Sequence, residues 1–113
     1  MHMSPFSFST VDWKLIEKTE HPGITGKAYW QTQTFGEEGS LIRVRMVEYT
    51  PGYLADHWCK KGHVLLCLDG ELETELEDGT VVTLTPGTSY QVGDNAEAHR
   101  SRTETGARLF IVD

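Results

Sequence analysis

Three of the five histidines and one of the two cysteines stand in a pattern suited to metal chemistry. His57 and Cys59 are two residues apart, so a strand through them would send both side chains from one face. His63 follows Lys60-Lys61-Gly62, where glycine lets the backbone kink and bring a third donor round. His99 supplies a fourth from a later strand. Three imidazoles and one thiolate are borderline-to-soft ligands, which favour zinc, iron, nickel or copper over magnesium or calcium. Histidine pairs on strands are often structural or exposed, so spacing alone does not decide between a metal site and a bland one. Of the other histidines, His2 belongs to a frayed terminal segment and His21 precedes Pro22 in a loop.

Other residues near these have readings of their own. Asp56 and Glu97 carry carboxylates that could orient an imidazole or act as a base, although Asp56, as a strand neighbour of His57, would point away. Arg45, Tyr90 and Arg100 could line a site mouth and hold an anion, or be ordinary surface residues. Cys67, in the apolar run Val64–Leu68, reads as core. Trp13, Trp30 and Trp58 read as packing or dimer-interface residues rather than an aromatic cage. Glu71, Glu73, Glu75 and Glu77 alternate along a strand, as a water-facing sheet surface requires.

The elements that position these groups are strands. No long segment keeps a 3.6-residue apolar period; the best helix candidate is Thr10–Glu17, with Thr10 as cap, and it could equally be a first strand. From residue 26 the chain reads as strands and turns. Lys27–Phe35 suits a pleated surface. Leu41–Thr50 carries Ile42, Val44 and Met46 on one face and Arg43, Arg45 and Val47 on the other. Asp69-Gly70 and Asp78-Gly79 are the strongest hairpin signals, as type I′ turns. Pro86-Gly87 and Gly93-Asp94-Asn95 mark further turns, and Arg108–Val112 is a closing strand. Many short strands with regular turns predict an all-β sandwich or barrel.

Composition bounds the rest. The 113 residues are enough for a single domain with a core of its own. A formal net charge of −7, with only Lys60-Lys61 standing together, argues against nucleic acid. No apolar run approaches a membrane span. Met1-His2-Met3-Ser4-Pro5 lacks the features of a signal peptide, so the expectation is a cytoplasmic protein. Two cysteines do not make a secreted disulfide framework.

The spacing around the candidate ligands resembles the first cupin motif: a glycine, His-x-His, a glutamate after three or four residues, and a closing glycine. His57 takes the first histidine position, Cys59 the second, His63 the glutamate position and Gly70 the final glycine. The second motif resembles Gly87 through Gly93-Asp94-Asn95 to His99. With Asp56-His57-Trp58-Cys59, Lys61-Gly62-His63 and the closing Leu109-Phe110-Ile111-Val112-Asp113, nearly the whole chain is similar to small bacterial DHCW-motif cupins. Val11-Asp12-Trp13, Thr19-Glu20-His21 and Ala28-Tyr29-Trp30 extend the likeness upstream.

The resemblance implies a single-domain cupin double-stranded β-helix, a jelly-roll-like barrel over residues 26–113 with residues 1–25 as an arm packed on it. It implies one divalent transition metal in the barrel mouth, held by His57, Cys59, His63 and His99. A thiolate in place of the usual glutamate keeps the ligand charge but moves it to soft sulfur, toward zinc, with iron or nickel as alternatives. Four bound donors would close a tetrahedron, as in structural zinc; one loose donor would leave a position open for water or substrate. The expected partner is a small molecule in the barrel, the expected assembly a homodimer. The expected function is a small-molecule metalloenzyme, with a non-catalytic ligand-binding module braced by its metal as the alternative.

Overall fold

A computed structural model describes residues 3–113; His2, read above as part of a frayed segment, lies outside them. Among the described residues nine strands account for the fold: β1 (Thr19–Pro22), β2 (Lys27–Phe35), β3 (Ile42–Tyr49), β4 (His63–Gly70), β5 (Leu72–Leu76), β6 (Val81–Leu84), β7 (Ser89–Val92), β8 (His99–Arg102) and β9 (Ala107–Val112). They form two antiparallel sheets, β1-β2-β3-β9-β4-β7 and β6-β5-β8. No described helix is long and apolar enough to cross a membrane.

The core lies between the sheets and follows the two-residue period of a strand. Leu65 and Cys67 of β4, Leu109 and Ile111 of β9 and Val47 of β3 meet Leu72 and Leu84 of the smaller sheet. On β3 the inward face is the one with the arginines. Arg45 and Val47 are buried, while Val44 and Met46 on the opposite face are only half-buried. Apolarity alone would have turned this strand the other way; an acid inside the barrel reverses it.

Three local expectations are corrected. The Thr10–Glu17 segment is neither helix nor strand but holds one 3₁₀ turn, Trp13–Leu15, capped by Asp12, whose side chain accepts from Lys14 N at 3.1 Å. This stretch lies along β2, where the Gln31 amide donates to the Trp13 and Ile16 carbonyls at 2.6 and 2.8 Å. Asp69-Gly70 is not a hairpin, because β4 and β5 belong to different sheets. A bulge between Cys67 and Asp69 and a positive φ of 74° at Gly70 turn the chain from one sheet into the other. Asp78-Gly79 does close a hairpin, β5–β6, but only Gly79 has positive φ, at 90°. With Gly79 N donating to the Leu76 carbonyl and Leu76 N to that of Thr80, this is a bulged turn rather than type I′.

The two glycines separate conformation from crowding. A methyl at Gly79 meets nothing within 4 Å, whereas one at Gly70 overlaps the Gly106 carbonyl oxygen. Gly79→Ala should therefore cost about 1 kcal/mol, the strain of a left-handed residue alone. Gly70→Ala should cost about 2 kcal/mol or more, since crowding adds to strain. Thermal melts of the two variants check the order; equal losses would mean that the corner relaxes freely.

Candidate metal centre

Cys59 and His99 are forty positions apart but meet as an antiparallel bridge. Cys59 N donates to the His99 carbonyl at 2.8 Å and His99 N to that of Cys59 at 3.0 Å. Directly opposed residues of such a pair send their side chains to the same face. His63, the first residue of β4, joins them from the larger sheet. One ligand atom from each of the three lies within 4.8 Å of the others, and His63 Nε2 stands 3.5 Å from Cys59 Sγ. The His63 and His99 rings meet edge-on, centroids 5.0 Å apart.

Gly62 sets His63 through space rather than through a special torsion. A methyl there would come within 2.8 Å of both Asp94 N and the Val92 carbonyl oxygen, and its φ is not positive. The bare backbone lets Gly62 N donate to Asp94 Oδ1 at 2.7 Å, pinning the start of β4 to the end of β7.

Both ring orientations are fixed from behind. His99 Nδ1 lies 2.9 Å from the Glu97 carbonyl oxygen and His63 Nδ1 2.8 Å from Asp113 Oδ2. A carbonyl and a carboxylate only accept, so each Nδ1 carries a proton, and in the neutral ring each Nε2 presents its lone pair. Burial lowers the His99 pKa, opposed by the hydrogen bond to the Glu97 carbonyl and assisted by the nearby His63, which favours the neutral ring. His99 Nε2 is buried with no hydrogen-bond partner.

Asp113 is the functional residue that sequence reasoning missed. Its side chain is 1% exposed. It receives His63, Arg43 at 2.8 and 3.1 Å and Arg45 at 3.0 Å. Burial pushes its carboxyl up, but the His63 and Arg43 hydrogen bonds and the two arginine charges outweigh this and hold it well below the usual carboxylate range. A signal was present: Leu109 and Ile111 point inward on β9, and two residues further the same face carries Asp113.

His57 is not brought into this group. Its side chain is 72% exposed, and Nδ1 pairs with Asp56 Oδ1 at 2.6 Å. The expectation of a strand through His57 and Cys59 fails for a definite reason. The chain bridges Leu54 to Arg102 and Cys59 to His99, five steps on one side against three on the other. Two residues too many must loop out, and Asp56-His57 form the bend.

The remaining residues also find places. Arg45 is buried, with its guanidinium 4.4 Å from the centre of the Trp30 ring. Trp30 packs against the core and also meets His21, stacked at 3.7 Å, and the Arg43 guanidinium, 5.5 Å from its ring centre. Arg100 pairs with Glu75 at 3.0 Å and lies over Trp58, and Arg102 pairs with Glu73. Two of the four alternating glutamates, Glu73 and Glu75, thus pair with arginines across β5–β8. Glu97 acts through its backbone, not its carboxylate. Cys67 is a core thiol, its pKa raised by burial.

Two spaces flank the three ligands. A solvent-open groove of about 600 Å³ at the sheet end reaches His63 and Asp113 between Leu41, Lys61 and Asp94. A smaller cavity of about 140 Å³ reaches His99 between Thr74, Leu76, Val82, Tyr90 and Val92.

The donors fit a transition metal. Tetrahedral Zn–N and Zn–S bonds of about 2.1 and 2.3 Å put neighbouring ligand atoms roughly 3.4–3.8 Å apart, which brackets the 3.5 Å between Cys59 and His63. An orphaned, buried imidazole nitrogen in the same cluster is what such an ion would satisfy.

No family model matches the sequence, and no curated protein does. Solved structures do match in fold. An ectoine synthase from P. lautus aligns with TM-score 0.73 and 20% identity over 93% of this chain and 76% of that one. The polyketide cyclase RemF from Streptomyces resistomycificus gives 0.73 and 18%, covering 94% and 78%. An RmlC-like cupin from Shewanella frigidimarina gives 0.69 and 22%, covering 94% and 89%. The two-sheet barrel is the cupin fold, and proteins that share it include enzymes.

Proposed function

We propose that this chain is a metal-binding cupin in which Cys59, His63 and His99 hold one divalent transition metal, zinc first and iron or nickel next, and that it is a metalloenzyme acting on a small molecule. The observation that carries the reading is the buried, unpartnered His99 Nε2 beside the 3.5 Å pair of Cys59 Sγ and His63 Nε2. Three protein donors are the number found in catalytic zinc sites, where a further position stays open. When bound, such an ion supplies Lewis acidity and an activated water. The chain's own residues hold the imidazole protons on Nδ1 through Asp113 and the Glu97 carbonyl. Burial raises the Tyr90 phenol, whose ring lies 5.8 Å from His99, so it stays protonated as a donor. Fold alone does not establish catalysis; a metal held by three protein donors would leave a position for water or substrate. Likeness to the DHCW-motif cupins, a cytoplasmic location and a homodimer belong to the same proposal.

Cobalt(II) tests it. The cobalt form should show a sulfur-to-metal charge-transfer band in the near ultraviolet that Cys59→Ser removes and Cys67→Ser retains. Azide should then shift the visible bands by entering the open position. A band that survives Cys59→Ser would remove the thiolate from the site. Visible bands indifferent to azide would mean a closed shell, completed by His57 swinging in from its bend, and the metal would be a structural brace.

A further inference from the structure

The larger sheet is apolar on the side that turns away from the core. Residues 109–112 of β9 are apolar without a break, and so are residues 64–68 of β4, the pattern of strands covered on both faces. Their inward members form the core, and the outward ones fall into two cross-strand rows. The register sets Val44, Val112 and Val64 side by side, and in the next row Met46, Phe110 and Leu66. Uncharged polar residues flank both rows, Gln33 and Gln31 on β2 and Gln91 and Ser89 on β7. The smaller sheet shows the contrast, because its Glu73 and Glu75 pair with Arg102 and Arg100.

The N-terminal arm does not cover these rows. It takes the β2 side, where Glu37 N donates to Ser4 Oγ at 2.7 Å, Phe6 meets Phe35 at 5.4 Å and Gln31 holds the Trp13 and Ile16 carbonyls. On β4 Val64 stays 48% exposed and Leu68 38%. A contiguous apolar patch with a polar margin is the anatomy of a protein interface.

Charge and area point to a second copy as its occupant. The chain carries a net charge of −7, yet the two rows carry none, and the row beyond them is balanced. There Arg108 stands in register with both Glu48 and Asp69, and Lys18 lies 3.6 Å from Glu48. Two acidic copies can meet here without bringing like charges together. A face with both signs on its margin is also complementary to itself about a twofold axis, as isologous pairing requires. Five strands about 4.8 Å apart and three rows about 7 Å apart span roughly 500 Å² in plan. A corrugated face exposes more than its plan, and Leu41, 54% exposed beside Val64 and Val112, extends it. That approaches the roughly 800 Å² per partner of a standard interface. We propose that the outer face of β3, β9 and β4 is the surface through which two copies of this chain pair. The inference rests on the homodimer reading above and adds its surface; Trp30 and Trp58 lie elsewhere, against the core and under Arg100.

Sedimentation velocity of the full chain from about 1 to 100 μM tests it. The wild type should sediment at twice the chain mass. Val64→Lys, at a position already half exposed, should keep the strand circular dichroism and raise the dimer dissociation constant at least about a hundredfold. Leu68→Lys repeats the test should Val64→Lys misfold, and Val81→Lys, equally exposed on β6, should leave the dimer intact. Added salt should leave the wild-type dimer as tight or tighter, since it screens the repulsion of two acidic chains. A dimer that persists with lysine at Val64 and Leu68, that Val81→Lys breaks, or that salt dissociates would overturn the surface while the homodimer reading stands. A monomer throughout the range would overturn both.

Discussion

His99→Ala is expected to weaken cobalt(II) binding by roughly a hundredfold or more, and His57→Ala by less than about twofold. Four-ligand zinc sites bind with about 10–16 kcal/mol, or about 2.5–4 kcal/mol per ligand, which corresponds to a factor of roughly sixty to seven hundred. The His99 ring is neutral, fixed by the Glu97 carbonyl and otherwise unpartnered at Nε2, so its full contribution is available. His57 is exposed and engaged with Asp56. Competition against a chromogenic chelator measures both constants. Chelation should also lower the melting temperature of the wild type by several degrees, and that difference should vanish in His99→Ala. A large loss for His57→Ala with a small one for His99→Ala would invert the assignment and make the exposed histidine the ligand.

Asp113→Asn should cost about 3 kcal/mol of stability, because it leaves the buried Arg45 and the half-buried Arg43 without their anion. For a domain of this size that is a drop of about 10 °C in melting temperature. Metal affinity should fall about ten- to a hundredfold as the carboxylate behind His63 becomes a neutral amide. The pH dependence has a definite sign. The Asp113 carboxyl titrates below its unfolded value, so its stabilisation is fully present above about pH 4 and is lost as pH falls further. His99 acts in the same direction at higher pH: burial lowers its pKa, the unfolded chain takes up the proton first, and stability declines below about pH 6.5. Wild type and Asp113→Asn should therefore converge as pH drops below about 4. Melts from pH 7 to pH 3 would contradict this if the gap between them stayed constant.

The barrel was legible in the sequence because its information is local. Alternation over Lys27–Phe35 and the Gly79 turn each specify their own element, and the structure keeps both. What was not legible is what depends on register between distant segments. Asp69-Gly70 has the composition of a hairpin but works as a corner, because β4 finds its partners in β7 and β9. His57 is two residues from Cys59 on paper, but the bridges at Leu54 and Cys59 differ by two steps, and that excess ejects it. Arg45 reads as a residue of the site mouth or of the surface; only when β3 lies beside β9 does Asp113 arrive to neutralise it. The three ligands that do gather come from a bridge and two strand starts, positions that local patterning marks poorly.

The place of β9 in the larger sheet has a consequence for how the chain reaches this state. It follows every other described strand in sequence, yet it sits between β3 and β4, which do not pair with each other. Until it inserts, both of those strands keep an open edge, and open edges invite pairing with other chains. Insertion seals them at once and delivers Asp113 behind His63 in the same event. The His63 side of the candidate metal centre therefore stays incomplete until β9 is in place.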